Sequence, residues 1–125
     1  MSRTMWTTLI MASFAAPLAA QEKKPPPPQP PVTAANVAYG KHPRQVIDFW
    51  QAKADKPTPL VLYIHGGGWR AGDKNTFGAA AIRRFRDAGI SVAAINYRYT
   101  QQALEAKVEP PVKAPLEDAA RALQT

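Results

Sequence analysis

Residues 60–72 read LVLYIHGGGWRAG, an apolar run followed by a histidine and three consecutive glycines. Leu60 to Ile64 is continuously apolar, which in so short a segment is typical of a strand buried on both faces of a parallel sheet. The glycine loop, His65 to Gly72, follows it directly. We therefore predict a strand that ends in a glycine-rich loop at one end of a sheet.

The residues after this loop predict a helix and a second strand. Asn75 or Thr76 is a candidate N-cap, Gly89 is placed to end the helix, and Ile90 to Tyr97 is again apolar. The predicted apolar stripe comprises Phe77, Ala81, Ile82, Phe85 and Ala88, with Arg83, Arg84 and Asp87 facing water. Strand, helix and strand in this order favour a parallel unit with a right-handed crossover.

A β-hairpin is predicted upstream of this unit. Asn36 to Tyr39 ends at the turn residue Gly40, and Gln45 to Trp50 contains β-branched and aromatic residues. The predicted order is thus hairpin, strand, helix, strand and a further helix. This is an α/β fold class.

The last predicted helix begins near Pro115 and continues to the end of the chain. Glu117 and Asp118 lie where carboxylates favour the positive end of the helix dipole. The predicted apolar stripe contains Leu116, Ala119, Ala120 and Leu123. Two buried strands and two helices cannot cover both faces and the edges of a parallel sheet. We therefore expect a truncated fold.

The first 31 residues have the composition of processing and linker segments. Residues 1–20 predict a secretory signal: Arg3 is followed by a mostly apolar stretch, and we expect cleavage after Ala20. Because Leu18 stands where a small residue is preferred, an uncleaved anchor is the alternative. The apolar run is too short for a transmembrane span, which needs about 20 residues. An exported protein, periplasmic or extracellular, is expected.

Residues 21–31 predict a proline-rich linker, since six of the chain's 13 prolines fall in it. A semi-rigid tether is favoured over a ligand for a proline-binding module. Residues 32–125 then remain for a partial α/β domain.

Composition excludes several classes of function. The net charge is +7, but the basic residues are scattered and no stacking aromatics alternate with them, so nucleic acid is not an expected partner. The absence of cysteine excludes disulfides and thiolate metal sites, and the two isolated histidines, His42 and His65, give no metal-ligand spacing. No metal or other cofactor is expected.

Two nucleotide-binding motifs resemble the loop on paper. Gly66, Gly68 and Ala71 fit the dinucleotide pattern G-x-G-x-x-A, but that motif requires a helix that opens within the glycines. Here Gly72, Asp73 and Lys74 intervene, and Trp69 and Arg70 fill the approach. A Walker loop also fails, because no Ser or Thr follows Lys74.

The string His65-Gly66-Gly67-Gly68-Trp69 resembles the HGGG oxyanion motif of lipases and esterases. Further strings extend this resemblance, namely Tyr39-Gly40, Asp48-Phe49-Trp50, Gly72-Asp73-Lys74 and Asn96-Tyr97-Arg98. The chain is similar to the hormone-sensitive-lipase and feruloyl or acetylxylan esterase branch of the α/β-hydrolase superfamily. The resemblance covers about residues 36 to 125.

The resemblance implies roles for the loop residues. The N–H groups of Gly67 and Gly68 become the oxyanion-hole donors, while Gly66 supplies the turn and His65 supports the loop rather than acting as the base. Glycines suit this task because side chains would obstruct the substrate carbonyl. For Trp69, packing of the loop, a wall of the acyl pocket and plain core packing stay open.

The catalytic triad of the family is not found in this sequence. No G-x-S-x-G occurs, and Gly89-Ile90-Ser91-Val92-Ala93 only mimics it, because Ser91 opens a strand instead of a strand-to-helix turn. His42 is predicted at the surface of the hairpin turn. The aspartates precede the position of the family's triad acid: Asp48, Asp55, Asp73, Asp87 and Asp118.

We therefore expect the oxyanion-hole half of a serine hydrolase that acts on carboxylic esters, with a small-molecule or carbohydrate-linked ester as substrate. The 125-residue chain alone is expected to be inactive. An amidase or serine peptidase would use the same loop. The alternative from another class is a secreted, non-catalytic relic or binding module of the same fold.

Overall fold

The computed structural model describes Pro25 and residues 27–125. The predicted signal, Met1 to Ala20, and the first residues of the predicted linker lie outside the described residues. No helix among the described residues is long and apolar enough to cross a membrane.

Within the described residues, four strands form one mixed sheet in the order β1-β2-β4-β3. The strands are β1 (Ala34–Ala38), β2 (Val46–Trp50), β3 (Leu60–Ile64) and β4 (Ser91–Ile95). The helices are α1 (Ala79–Asp87), α2 (Thr100–Glu105) and α3 (Lys113–Ala122), and a single 3-10 turn covers Lys74–Thr76. The predicted α/β class is confirmed, and the predicted elements occur in the predicted order with one additional helix, α2.

The sheet joins the predicted hairpin to the predicted parallel unit. β1 and β2 pair antiparallel, β2 pairs antiparallel with β4, and β3 pairs parallel with β4, where Leu60 lies opposite Ser91 and Ile64 opposite Ile95. β4 therefore lies between β2 and β3, and all five of its residues are buried.

The prediction that β3 is buried on both faces is wrong. β3 lies at an edge of the described sheet, so only β4 pairs with it. Leu60 is 52% exposed and Ile64 is 40% exposed. An uninterrupted apolar run cannot distinguish a central strand from an edge strand, because that depends on which other strands pair with it.

Helix α1 ends as predicted but begins later. Gly89 has φ +75°, its N–H donates to Arg86 O at 3.0 Å, and the N–H of Ile90 donates to Phe85 O at 2.9 Å, which is a Schellman motif. The N-cap is Gly78, not Asn75 or Thr76. Those two residues belong to the separate 3-10 turn, which Asp73 caps.

The C-terminal region differs from the prediction in two ways. Helix α2 lies between β4 and α3, where no element was predicted, and it buries Ala103. Helix α3 is rotated relative to its predicted stripe, since Leu116 is 50% exposed and Leu123 is 64% exposed. The buried face instead comprises Ala114, Pro115, Asp118, Ala119 and Ala122. It turns inward because the carboxylate of Asp118 meets polar partners described below.

Helices α1 and α3 pack on opposite faces of the sheet. Side chains alternate along β4, so Val92 and Ala94 join the cluster under α1, whereas Ile95 joins the cluster under α3. The α1 cluster also contains Trp50, Ile82, Tyr63, Phe77 and Phe85. The α3 cluster also contains Tyr39, Tyr97, Ala119, Ala122, Ile47, Leu62, Trp69 and Tyr99.

Candidate active site

The glycine loop leaves the C-terminal end of β3 and turns sharply through left-handed backbone. Gly67, Gly68 and Trp69 have φ values of +125°, +59° and +63° in succession, and Gly72 has φ +104°. Residues with a Cβ rarely adopt such angles, so glycine is required where the turn is tightest. No helix begins within the loop, which agrees with the rejection of the dinucleotide motif.

Two of these glycines are also required by close approach. A Cβ built on Gly67 would lie 2.1 Å from the carbonyl oxygen of Ala71, and a Cβ on Gly72 would lie 2.3 Å from both Gly66 O and His65 Nδ1. The loop therefore folds back on itself. In contrast, a Cβ on Gly66 or on Gly68 would meet no atom within 4 Å.

The fold of the loop leaves several of its amides, among them those of Gly67 and Gly68, without a protein acceptor in the described residues. The N–H groups of Arg70 and Ala71 donate to Gly67 O at 3.1 and 3.2 Å, which closes the turn. Within the described part of the chain, the N–H groups of Gly67 and Gly68 donate to no protein acceptor. Such amides are able to receive an anionic oxygen.

A concave pocket of about 480 Å³ opens beside this loop. Gly66 and Gly68 form part of its wall, and the other lining residues are Ile64, His65, Trp69 and Tyr97. The pocket therefore combines a largely apolar lining with glycine backbone, an arrangement that is able to hold an uncharged group next to peptide N–H donors.

His65 is buried beneath the loop, only 2% exposed. Its Nδ1 lies 2.8 Å from Gly66 O, its ring stacks on Tyr97 with centroids 4.3 Å apart, and its carbonyl accepts a 2.7 Å hydrogen bond from the Tyr97 hydroxyl. A contact with a carbonyl oxygen requires the proton on Nδ1. These contacts are those of a residue that supports the loop.

Trp69 lies between the pocket and the ring of Tyr97. It lines the pocket, and its ring packs edge-on against Tyr97 at a centroid distance of 5.3 Å. Its carbonyl also accepts a 2.9 Å hydrogen bond from the N–H of Thr100, the first residue of α2. The start of α2 therefore fixes the far side of the glycine turn.

The end of the loop is tied to the sheet by four polar side chains. Asn96 follows β4 and uses both ends of its amide, since Oδ1 accepts from the N–H of Lys74 at 2.8 Å and Nδ2 donates to Asp73 Oδ2 at 2.9 Å. Lys74 then reaches under the sheet to Asp48 on β2, with Nζ 2.6 Å from Oδ2. This ion pair is buried, so removal of one partner would leave an uncompensated charge.

A second group holds Gly72 from the solvent side. Arg44, in the hairpin turn, donates from Nε to Tyr97 O at 2.8 Å and from a terminal nitrogen to Gly72 O at 3.3 Å. Its guanidinium carbon lies 3.8 Å from the ring centroid of Tyr99, and the Tyr99 hydroxyl also donates to Gly72 O. Because Gly72 touches His65 and Gly66, this clamp positions the glycine turn indirectly.

Helix α3 fixes the segment that follows β4. Asp118 is fully buried and accepts from Arg98 through the backbone N–H at 3.0 Å and through the guanidinium at 2.9 and 2.7 Å. Gln45 donates to the same carboxylate at 2.7 Å. Burial raises the pKa of Asp118, but the hydrogen bonds and the charge of Arg98 outweigh it and hold the pKa below its usual range.

This network predicts a loss of stability in acid. Since the folded pKa of Asp118 is lowered, its contribution is complete above the unfolded pKa of about 3.9 and is lost as pH falls below it. Each carboxylate of this kind adds a slope of at most about 1.4 kcal/mol per pH unit. In urea unfolding between pH 6 and pH 2.5, Asp118→Asn should reduce that slope, whereas Asp55→Asn at an exposed position should not. Equal slopes for all three proteins would contradict this prediction.

The residues set aside as non-catalytic lie away from the loop or have structural partners. Ser91 is buried at the N-terminal end of β4, where its hydroxyl lies 2.6 Å from Thr58 Oγ1 and accepts from the N–H of Ala52 at 3.0 Å. His42 is half-buried and caps the hairpin turn through Nδ1, which accepts from the N–H of Arg44 at 3.1 Å. Neither histidine touches Ser91.

Sequence reasoning identified the loop but gave no role to the residues that hold it. Arg44 had no signal, because its partners lie 28 and more residues further along the chain. A sequence signal did exist for three other residues of this group, because each lies in a string that carries the resemblance: Asp48, Lys74 and Asn96. Contacts among the polar residues near the glycine loop could therefore have been predicted from the sequence.

Comparison with known families shows to which family the chain belongs. The esterase family BD-FAE matches residues 47–123, which is more than half of the chain and includes the loop together with Asp48, Lys74 and Asn96. The chain belongs to the BD-FAE family. The resemblance to α/β-hydrolases of the esterase type is thereby confirmed.

Three curated esterases are similar to part of this BD-FAE chain. A probable isoprenylcysteine alpha-carbonyl methylesterase, ICME, of Oryza sativa subsp. japonica is 41% identical over 64 residues. From Mycobacterium tuberculosis, the carboxylic ester hydrolase LipN is 42% identical over 62 residues and the esterase LipC is 34% identical over 64. Each match covers 50% of this chain and only 15 to 16% of the relative. No solved structure matches the chain significantly.

Proposed function

We propose that this BD-FAE chain provides the oxyanion-hole part of a serine hydrolase that cleaves carboxylic esters. The observation that carries the proposal is a glycine turn whose Gly67 and Gly68 amides have no protein acceptor among the described residues, next to a largely apolar pocket that Gly68 lines. Membership in an esterase family and the similarity to three curated esterases support the same chemistry.

The chemistry follows from where charge develops. When a serine oxygen attacks an ester carbonyl, the carbonyl oxygen becomes an oxyanion, and the amides of Gly67 and Gly68 stabilise it by hydrogen bonds. One such donor is typically worth about 2.7 to 4 kcal/mol in the transition state. The alcohol then leaves, and water hydrolyses the acyl-enzyme to release the acid and the serine. The serine, its acid and its base come from outside residues 1–125.

The pocket indicates what binds next to the hole. Trp69, Ile64 and the ring of Tyr97 offer apolar and aromatic surface within the wall that also contains the glycines. A short or aromatic acyl group of a small-molecule or carbohydrate-linked ester fits this lining, since it needs no charged partner. The alcohol part would lie toward the remainder of the enzyme.

The proposal is tested on the complete gene product. The coding sequence beyond Thr125 should encode a strand followed by G-x-S-x-G, and the protein should hydrolyse p-nitrophenyl acetate and butyrate. A fluorophosphonate probe should label the serine of that motif. The secreted protein should begin at Gln21 by intact mass, as expected for an exported hydrolase with a cleaved signal.

A non-catalytic relic of the same fold is the competing function. It is favoured by the sequence of residues 1–125, in which Ser91 is the only serine after the predicted signal and is buried among structural partners. Absence of an elbow in the gene, together with no probe labelling and no ester turnover, would establish the relic and exclude the hydrolase.

A further inference from the structure

The proline-rich segment contacts the domain in the part of it that the structure describes. Three polar contacts join the arm, defined here as Pro27 to Pro31, to the α1 side of the sheet. The indole N–H of Trp50 donates to Pro30 O at 3.1 Å, the guanidinium of Arg83 donates to Pro28 O, and Gln29 Nε2 donates to Phe77 O at 2.9 Å. Pro30 is buried.

These contacts match the chemistry by which extended proline segments are recognised. A polyproline helix has no internal hydrogen bonds, so its carbonyl oxygens are available to donors from outside. Proline rings also fix φ in advance, so that docking costs little further backbone entropy. A groove with aromatic surface and a tryptophan N–H is the usual receptor for such a segment.

Trp50, the donor to Pro30 O, belongs to an aromatic part of the domain. Trp50 belongs to the α1 cluster, which also contains the rings of Tyr63, Phe77 and Phe85. Tyr63 and Phe77 are stacked, with centroids 4.4 Å apart. Arg83 adds a cationic donor from α1. Trp50 therefore supplies an aromatic ring and a donor to the arm, and Arg83 supplies a second donor.

We propose that Trp50, Arg83 and the start of α1 form a recognition groove for an extended proline-rich segment, which the chain's own arm occupies. The arm thus binds intramolecularly, and residues 27–31 pack across α1 as part of the domain. The site is separate from the glycine loop. Trp50 pairs with Val92, whereas the loop follows Ile64, which pairs with Ile95 at the other end of β4.

The test uses the absence of cysteine from the chain. Cysteines are introduced in the full chain at Pro28 and Gly78. Pro28 is exposed and contributes its backbone carbonyl, which the substitution keeps, and an added Cβ at Gly78, next to Phe77, meets no atom within 4 Å. A matched pair combines Pro28→Cys with Ala106→Cys, at an exposed position beside α3. Each pair is treated with a short bis-maleimide and mapped by mass spectrometry.

A docked arm should link to position 78 at least tenfold faster than to position 106. Arg83→Met and, separately, Trp50→Phe should each slow the first link about threefold or more, because each removes one donor to an arm carbonyl. Pro43→Ala, in the hairpin turn, should leave it unchanged. Circular dichroism verifies that each variant is folded. Equal linking rates at positions 78 and 106, or rates insensitive to both groove variants, would overturn the proposal.

Discussion

Replacing Gly67 by alanine should lower kcat for ester hydrolysis by about a hundredfold or more in the complete enzyme, with little change in KM. The left-handed φ of +125° disfavours a side chain, and the new methyl group would meet Ala71 O at 2.1 Å. The turn must therefore shift and displace the amide. Because that amide acts on charge present only in the transition state, the loss falls on kcat.

Two matched substitutions distinguish the oxyanion hole from general damage. Gly68→Ala should lose less activity, since φ there is +59° and the space is open, so only strain in the left-handed region acts. Gly78→Ala, with an open site and ordinary φ, should retain wild-type kcat. Steady-state kinetics and thermal melting are measured on all three. Full activity of a folded Gly67→Ala enzyme would refute the assignment of this amide.

Residues 1–125 alone should hydrolyse p-nitrophenyl esters no faster than an inert protein. Loss of a catalytic triad typically removes about a millionfold in rate and leaves only the background from binding and the oxyanion hole. Ser91 cannot substitute, because its hydroxyl is buried between Ala52 and Thr58. It also lies about 13 Å from the loop end of β4, given a rise of about 3.3 Å per residue.

Ser91→Ala is the control for contaminating or unexpected activity. Burst kinetics and fluorophosphonate labelling should be negative for the chain and for this variant alike. Turnover that exceeds the inert control and disappears in Ser91→Ala would identify Ser91 as the nucleophile. The assignment of the oxyanion hole to the glycine loop would then be wrong, and the active site would lie at the N-terminal end of β4.

Local sequence pattern predicted those parts of the fold that depend on neighbouring residues. The strand at 60–64, the hairpin and the glycine that ends α1 each follow from a few consecutive side chains. The buried face of α3 was missed because Asp118 is drawn inward by Arg98 and Gln45, which lie 20 and 73 residues away. Apolar periodicity predicts that leucines are buried, and it contains no information about polar partners that are distant in the sequence.

The same limit applies to the candidate site. Consecutive glycines after a strand indicate a tight turn with exposed amides, and the resemblance to the esterase motif singled out Gly67 and Gly68 among them. The residues that hold that turn come from separate segments: Arg44 from the hairpin, Asp48 from β2, Asn96 from the end of β4 and Tyr99 from the start of α2. The order of the strands in the sheet brings these residues together, and local sequence pattern does not predict that order.

The three consecutive glycines are unequal as targets for protein engineering. Gly66 has no left-handed φ, its added Cβ would meet nothing within 4 Å, and it faces the pocket. A side chain there would narrow the pocket without disturbing the turn beside it. A library that varies position 66 while positions 67 and 72 stay glycine would therefore retain most of its members as folded proteins and redistribute their preference among acyl groups.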